Sequence, residues 1–86
     1  MTLLDKIALG KLVRFLREQE HMQQKDLARL LHVSPGTVSK WETGINYPDT
    51  PILGNLATLF HISVDDLFHP QETMERLEKA QKLLLK

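Results

Sequence analysis

The sequence predicts an all-α fold, a compact bundle of five short helices followed by a C-terminal amphipathic helix. Two observations support this prediction. Val, Ile and Tyr are scattered along the chain, and no Asn-Gly or Asp-Gly pair marks a hairpin turn. Apolar residues recur at intervals of three and four, a spacing that places side chains on one face of a helix. In the first segment these residues are Leu9, Leu12, Val13 and Leu16.

The composition is that of one small globular domain. The chain has 86 residues, of which 42% are hydrophobic and 26% are charged, so it does not read as a disordered segment. It has no cysteine, which excludes a disulfide framework and a thiolate zinc site. No apolar run approaches the roughly 18 residues of a membrane span, and the N-terminus lacks the features of a signal peptide. We therefore expect a cytoplasmic protein that does not associate with membranes.

Helix signals divide the first third of the chain into two helices. Thr2 is a candidate N-cap for a helix that runs to about Glu20, with Asp5 as a weaker capping-box partner. A second helix of about eight residues is predicted over residues 24–31. His21 follows the first of these helices directly.

Three histidines occupy turn positions where glycine is common. His21, His32 and His61 each follow a predicted helix end, so we expect a left-handed backbone at all three. They are interpreted either as tolerated substitutions for glycine or as pH sensors, since histidine titrates near neutrality.

The third helix has the clearest boundaries. Ser34 is a strong N-cap, and Pro35 fits the first helical position because its missing N–H costs nothing there. Gly44 closes this helix after residue 42.

Three further helices follow in the second half. Asp49 or Thr50 caps the fourth helix, and Ser63 begins a capping box for a short fifth helix that ends at Phe68. Pro70 opens the last helix, which is predicted to extend to residue 86.

The second and third helices are joined by only three residues, which is helix-turn-helix geometry. Two helices that cross over so short a turn need a small residue where their backbones meet, and Ala28 fits that need. They also need apolar residues that face a shared core. The candidates are Leu27, Leu31, Val33, Val38 and Trp41.

With these elements in place, residues 9–68 resemble the Xre/Cro-type helix-turn-helix domain of bacterial and phage repressors, which has the lambda-repressor-like fold. The resemblance divides the chain into a DNA-binding domain at residues 1–69 and a helical extension at residues 70–86. The matching residues are Leu9-Gly10, Val13-Arg14, Leu16-Arg17, Gln24, Leu27-Ala28, Leu31, Val33-Ser34, Thr37-Val38-Ser39-Lys40-Trp41-Glu42, Gly44, Pro48-Asp49, Leu56-Ala57, Leu59-Phe60 and Ile62-Ser63-Val64-Asp65-Asp66-Leu67.

The resemblance implies a helix-turn-helix at about residues 24–43, with helix 35–42 in the major groove of double-stranded DNA. It also implies a homodimer on a pseudo-palindromic operator. Pro35, Gly36, Thr37 and Lys40 are then the base-facing positions. The full set of implied DNA-binding residues is Gln24, Ser34, Pro35, Gly36, Thr37, Ser39, Lys40, Thr43 and Asn46.

Three of the family positions have structural or mixed roles. Arg17 and Glu42 match the ion pair that ties the first helix to the end of the third helix. Gln24 either reaches a phosphate or supports the third helix.

The chain departs from the family pattern in three places. Pro35 and Gly36 offer no side-chain hydrogen bonds to bases. The loop of residues 43–47 lacks the basic side chains that relatives often carry. Apolar residues also stand where relatives tend to be polar, which suggests surface that something else covers. These residues are Leu12, Phe15 and Leu30.

The C-terminal helix is amphipathic, and favourable pairs of an acidic and a basic residue four positions apart, such as Glu72 and Arg76, are predicted along it. A helix of this length is marginal when isolated, so it is expected to pack against another surface. Three alternatives remain open: it packs back through Leu12 and Phe15, it pairs with the same helix of a second copy, or it is disordered. Its apolar side includes Met74, Leu77 and Leu84.

No enzyme is expected. His61, Asp65 and His69 are spaced by four, but the Ser63 cap interrupts the helix between them, so we expect no metal site. No Gly-rich phosphate loop and no catalytic triad is recognisable, and no cofactor is expected.

Two functions follow from these observations. The first is a sequence-specific DNA-binding transcriptional regulator, a homodimeric repressor. The second is a protein-interaction module on the same fold, such as an antitoxin, an anti-repressor or an adaptor. It is favoured by the net charge of zero, by Leu12, Phe15 and Leu30, which are expected to be exposed, and by the Pro35-Gly36 pair. The balance of eleven basic and eleven acidic residues favours modest DNA binding, or binding confined to one face, because affinity comes mainly from basic groups at phosphates.

Overall fold

The computed structural model describes residues 5–84, which form six helices and no strand, so the predicted all-α class is confirmed. No helix in this range is long and apolar enough to cross a membrane. The helices are α1 (Lys6–Gln19), α2 (Gln24–Leu31), α3 (Pro35–Glu42), α4 (Thr50–Leu59), α5 (Val64–Phe68) and α6 (Pro70–Leu84).

The start of α1 differs from the prediction. Asp5 is the N-cap, and its Oδ1 accepts hydrogen bonds from the backbone N–H groups of Ile7 at 3.0 Å and Ala8 at 3.1 Å. A carboxylate satisfies these free donors at least as well as a hydroxyl does. Thr2, the expected cap, lies outside the described residues. The helix ends at Gln19, one residue before the predicted limit.

The caps of α3, α4 and α5 are the predicted residues. Ser34 Oγ accepts the Thr37 N–H at 3.1 Å, and Asp49 Oδ1 accepts the Ile52 N–H at 3.0 Å. Ser63 and Asp66 form a reciprocal capping box with both hydrogen bonds at 3.0 Å. These side chains satisfy N–H groups that have no partner inside the helix, and so they fix where each helix begins.

The histidine turns are confirmed. His21, His32 and His61 have φ angles of 56°, 58° and 57°, and they are the described non-glycine residues with positive φ. The left-handed residue after each helix lets the chain turn into the next helix within three or four residues.

The core is built from residues of α1 to α5, and the first turns of α6 pack against it. A side chain at Gly10 would overlap the backbone carbonyl oxygens of Trp41 and Glu42, so α1 and α3 cross at a glycine. The expectation that Leu12 is exposed is wrong, since it is fully buried among these helices. The large core residues are Leu9, Leu12, Val13, Leu16, Leu27, Leu31, Val38, Trp41, Leu53, Leu56, Phe60 and Leu67.

Helix α6 packs back on its own domain over its first two turns. Thr73 is buried and donates its hydroxyl to the Asp66 carbonyl oxygen at 2.8 Å. Met74 and Leu77 pack against the core, and α6 contacts both α1 and α5. Leu84, which was expected on the same packed side, is 85% exposed because the end of α6 extends past the apolar surface that its first turns cover.

Candidate nucleic-acid interface

Helix α3 has one buried face and one exposed face. Val38 and Trp41 are buried in the core. Pro35, Gly36 and Lys40 lie on the exposed side. Because these three residues fall on the face opposite the core, a large ligand could approach the helix along its length.

The side chains of Ser34 and Thr37 form hydrogen bonds in the first turn of α3. The side-chain oxygens of Ser34 and Thr37 are 2.8 Å apart, and the same Ser34 oxygen accepts the Thr37 N–H. A Cβ at Gly36 would meet nothing closer than Ser34 Oγ at 3.8 Å, so the backbone here is open to close approach. Ser39 and Thr37 are half-buried beside it. This turn therefore offers hydroxyl groups, methyl groups and bare backbone.

A buried ion pair holds the other end of α3. Arg17 Nε is 2.7 Å from Glu42 Oε2, and Arg17 Nη2 is 3.0 Å from Glu42 Oε1. Arg17 Nη1 donates to the Met22 carbonyl oxygen at 2.8 Å. The side chains are 11% and 4% exposed. The hydrogen bond to Glu42 raises the pKa of Arg17 above its already high ordinary value, and the bidentate geometry fixes α3 relative to α1.

Gln24 joins the same group of residues. Its Nε2 donates to Glu42 Oε1 at 3.0 Å, and its side chain is half-buried. Gln24 therefore supports the end of α3, as one of its two predicted roles requires, and its contact with a phosphate stays a prediction. Sequence spacing alone left both roles open because Gln24 lies at the start of α2, where either contact is within reach.

The loop after α3 folds back on the helix. Thr43 Oγ1 donates to the Ser39 carbonyl oxygen at 2.9 Å. The N–H groups of Ile45 and Asn46 donate to the Lys40 carbonyl oxygen at 2.9 and 3.4 Å. The loop is thus continuous with the exposed face of α3, and the side chain of Asn46 is exposed beside it.

One neighbour of this loop was missed from the sequence. The first turn of α1 lies against the loop, with Ile7 packed beside Gly44 and Lys6 Nζ 5.4 Å from the centre of the Tyr47 ring. No motif marks these contacts, because they join residues 37 and 41 positions apart in the chain. The glycine at position 44, with φ of 79°, was the available signal of a tight turn.

The balanced charge of the chain conceals an asymmetry. Residues 1–47 hold seven basic and five acidic side chains, whereas residues 48–86 hold four basic and six acidic side chains. The half that contains α3 is therefore net positive, which favours contact with a polyanion.

Two other features of the described residues concern metal binding and the protonation of His69. No group of three His, Cys, Asp or Glu side chains between residues 5 and 84 could hold a metal ion. His69 Nδ1 lies 3.0 Å from the Asp65 carbonyl oxygen, and this contact, together with the Asp65 charge, raises the pKa of His69.

Comparison with known proteins matches residues 13–67 to the helix-turn-helix family. The chain is 36% identical over 67 residues to the competence pilus inhibition repressor of Acinetobacter baylyi, which covers 78% of this chain and 61% of that protein. It is 32% identical over 71 residues to the HTH-type transcriptional activator BcrR of Enterococcus faecalis, which covers 83% of this chain and 35% of that protein. The chain spans less than two thirds of the length of either relative.

Among solved structures, the chain is similar to the clp gene regulator ClgR from Corynebacterium glutamicum. The TM-score is 0.70 at 28% sequence identity, and the match covers 98% of this chain and 88% of that one. A match of this extent includes α6 as well as the helix-turn-helix.

Proposed function

The chain belongs to the helix-turn-helix family, of the Xre type, and on that basis we propose that it is a DNA-binding transcriptional regulator. One observation carries the proposal: the outer face of α3 is exposed while its inner face is locked into the core. In helix-turn-helix proteins the second helix of the motif lies in the major groove. Here that helix is α3.

The base contacts follow from the side chains on this face. Lys40 is the long cationic group and reaches either a base edge or a phosphate, while Thr37 presents a hydroxyl and a methyl group. Pro35 and Gly36 allow the start of α3 to approach the groove closely without adding donors. Ser34, Ser39 and Asn46 flank the groove, where hydroxyl and amide groups serve as phosphate partners. The Thr43 hydroxyl donates to the Ser39 carbonyl oxygen, so a phosphate contact at Thr43 requires this hydroxyl to turn away from α3.

The protein acts as a homodimer in this proposal, since a pseudo-palindromic operator presents two half-sites one helical turn apart. Beyond residue 47, two apolar surfaces are exposed among the described residues: Val64 and Phe68 on α5, and Leu83 and Leu84 at the end of α6. Sedimentation of the variants Phe68→Glu and Leu84→Glu shows which of the two surfaces forms the dimer. The variant that becomes monomeric marks the dimer surface, and a wild type that is itself monomeric at tens of micromolar contradicts the dimer.

Regulation is proposed to be repression by occlusion. A dimer seated in two successive major grooves covers DNA that RNA polymerase needs, and this requires no contact beyond the DNA-binding surface itself. Of the two relatives, one is named a repressor and the other a transcriptional activator; the proposal follows the first. A regulator of this kind works in the compartment that holds the chromosome, which is the cytoplasm in bacteria.

The alternative of a protein-interaction module loses part of its basis. It rested on Leu12, Phe15 and Leu30 as exposed apolar residues, but Leu12 is fully buried and Phe15 is half-buried. Leu30 is exposed. The balanced net charge, which also favoured that alternative, is unevenly divided between the two halves of the chain.

Fluorescence anisotropy with labelled genomic duplex fragments tests the proposal. Lys40→Ala is expected to weaken binding by roughly 1–3 kcal/mol, as loss of a specific contact does. Lys79→Ala, an exposed lysine of α6, removes the same charge far along the chain and should bind like the wild type. Equal affinities for all three proteins would contradict the assigned role of α3, and no binding at low salt would favour a protein partner.

A further inference from the structure

Lys6 is the first residue of α1 and lies on the side of this helix that meets α3. Lys6, Gly10 and Arg17 are spaced by four and seven residues, which places them on one side of a helix. Gly10 meets the carbonyl oxygens at the end of α3, and Arg17 is bonded to Glu42. Lys6 continues this line past the end of α3, to the loop that follows it.

At that point Lys6 lies over an aromatic ring. Its Nζ is 5.4 Å from the centre of the Tyr47 ring, within the range of a cation–π contact. Ile7 adds a second contact, since a Cβ on Gly44 would come within 2.9 Å of Ile7 Cγ1. The first turn of α1 and the loop of residues 43–47 are therefore one surface, and through the Lys40 carbonyl oxygen it is continuous with α3.

The start of α1 does not itself need Lys6. The carboxylate of Asp5, the N-cap, already accepts the free N–H groups of Ile7 and Ala8 and provides the negative charge that a helix N-terminus favours. Lys6 is exposed beside this cap, so its ammonium group is open to an anionic ligand on the outer surface.

The loop after α3 lacks basic side chains of its own. Residues 43–47 contain no Lys and no Arg, although the loop borders the exposed face of α3. Lys6 is the cation that the fold places beside this loop through the contact with Tyr47.

We propose that Lys6, positioned by Tyr47, binds a phosphate of the DNA backbone and supplies the charge that the loop after α3 lacks. This inference rests on the proposed DNA-binding function and extends the interface from α3 to the first turn of α1. Binding of a phosphate by a lysine carries no sequence information; it adds affinity and fixes the register of α3 in the groove.

The salt dependence of DNA binding tests this inference. Each phosphate contact contributes about 0.9 to the slope of log K against log salt concentration, so Lys6→Gln is expected to reduce the slope by about one and to weaken binding on all sequences alike. Lys6→Arg keeps the charge and should retain the wild-type slope. Lys11→Gln is the matched control, because Lys11 lines the groove between α1 and α6 together with Met74 and Glu75.

The possible outcomes distinguish a phosphate contact at Lys6 from a general charge effect and from a failure of the DNA-binding function itself. A slope reduced in Lys6→Gln but retained in Lys6→Arg and Lys11→Gln supports the proposal. Equal slopes for wild type and Lys6→Gln overturn it while leaving the DNA-binding function intact, and equal reductions in Lys6→Gln and Lys11→Gln overturn it as a general charge effect. A wild type that binds no duplex overturns the function itself. Circular dichroism of each variant verifies that the helices are retained.

Discussion

Two ion pairs join different helices within residues 5–84, and they differ in burial. In the N-terminal half, Arg17 and Glu42 form two hydrogen bonds between α1 and α3 with side chains that are 11% and 4% exposed. In the C-terminal half, Arg76 of α6 meets Asp66 of α5 through one contact of 3.2 Å, with exposures of 59% and 20%. Both pairs join an arginine to a carboxylate, but only the first is shielded from water.

The difference separates a positioning device from a surface contact. A buried pair that loses one partner leaves an uncompensated charge in the core, whereas an exposed pair is screened by water and stabilises little. The N-terminal half therefore holds α3 in one place relative to α1. The C-terminal half relies instead on apolar packing of α6 by Met74 and Leu77.

Removal of the buried guanidinium is expected to have the largest effect. Arg17→Ala should lower the free energy of unfolding by about 3–5 kcal/mol, because the Glu42 carboxylate is left buried with Gln24 as its remaining side-chain partner. Urea unfolding measures this loss. Arg14→Ala is the control, since Arg14 pairs with Glu18 at an exposed position of the same helix and should change stability by less than about 1 kcal/mol. Similar losses in both variants would contradict the distinction between the two kinds of pair.

The crossing of α1 and α3 is the next most sensitive point. Gly10→Ala places a methyl group against the carbonyl oxygens of Trp41 and Glu42, and such overpacking costs about 1–3 kcal/mol or more. Gly54→Ala is the matched control in α4, where a Cβ meets nothing within 4 Å; it should raise stability by roughly 0.5–1 kcal/mol. Opposite signs in thermal unfolding are therefore expected, and equal signs would contradict the close approach of the two helices.

A smaller effect is expected from the helix caps. Ser34→Ala removes the acceptor for the Thr37 N–H at the start of α3, and Ser63→Ala removes the acceptor for the Asp66 N–H at the start of α5. Each should cost about 1 kcal/mol of stability. Only Ser34→Ala should also weaken DNA binding in the anisotropy assay, since it loosens the turn that faces the groove. A comparable loss of binding in Ser63→Ala would show that the two halves are not separable in this way.

The smallest effect concerns the exposed pair and depends on pH. The Ser63 N–H, and after it Arg76, holds the pKa of Asp66 below its ordinary value. The stability from this carboxylate is therefore present above the unfolded-state pKa and is lost as the pH falls through the lower, folded-state pKa. Arg76→Ala should cost less than about 1 kcal/mol at neutral pH.

Acid titration of the unfolding free energy checks the direction. The wild type should lose more stability than Asp66→Asn as the pH falls through the range of an aspartate, because the amide has no proton to gain. A steeper acid loss in Asp66→Asn would contradict the lowered pKa of Asp66.

The sequence predicted the helix boundaries well wherever the cap is determined by residues that are neighbours in the chain. Ser34, Asp49 and Ser63 cap the helices that they precede, because one side chain and the N–H groups two or three positions later decide the outcome. The left-handed histidines are local in the same sense. Asp5 was missed as a cap, since Thr2 and Asp5 offer the same signal and only the packing of α1 chooses between them.

Tertiary contacts were less predictable. The close approach at Gly10 and the burial of Leu12 depend on α3 and α6 lying against α1, which no local pattern announces. Arg76 shows the same limit: sequence spacing suggested a pair with Glu72 on the same helix, and the structure pairs it with Asp66 of α5. At the proposed site, the sequence predicted the face of α3 but not the neighbouring Lys6.

The most direct test of the account is an NMR titration of the labelled protein with a duplex selected from genomic fragments. Backbone amide shifts are expected to concentrate in residues 34–47 and the first turn of α1, while α6 remains unperturbed. Shifts that concentrate on α5 and α6 and leave α3 unchanged would contradict the claim that the N-terminal half is the DNA-reading half of the molecule.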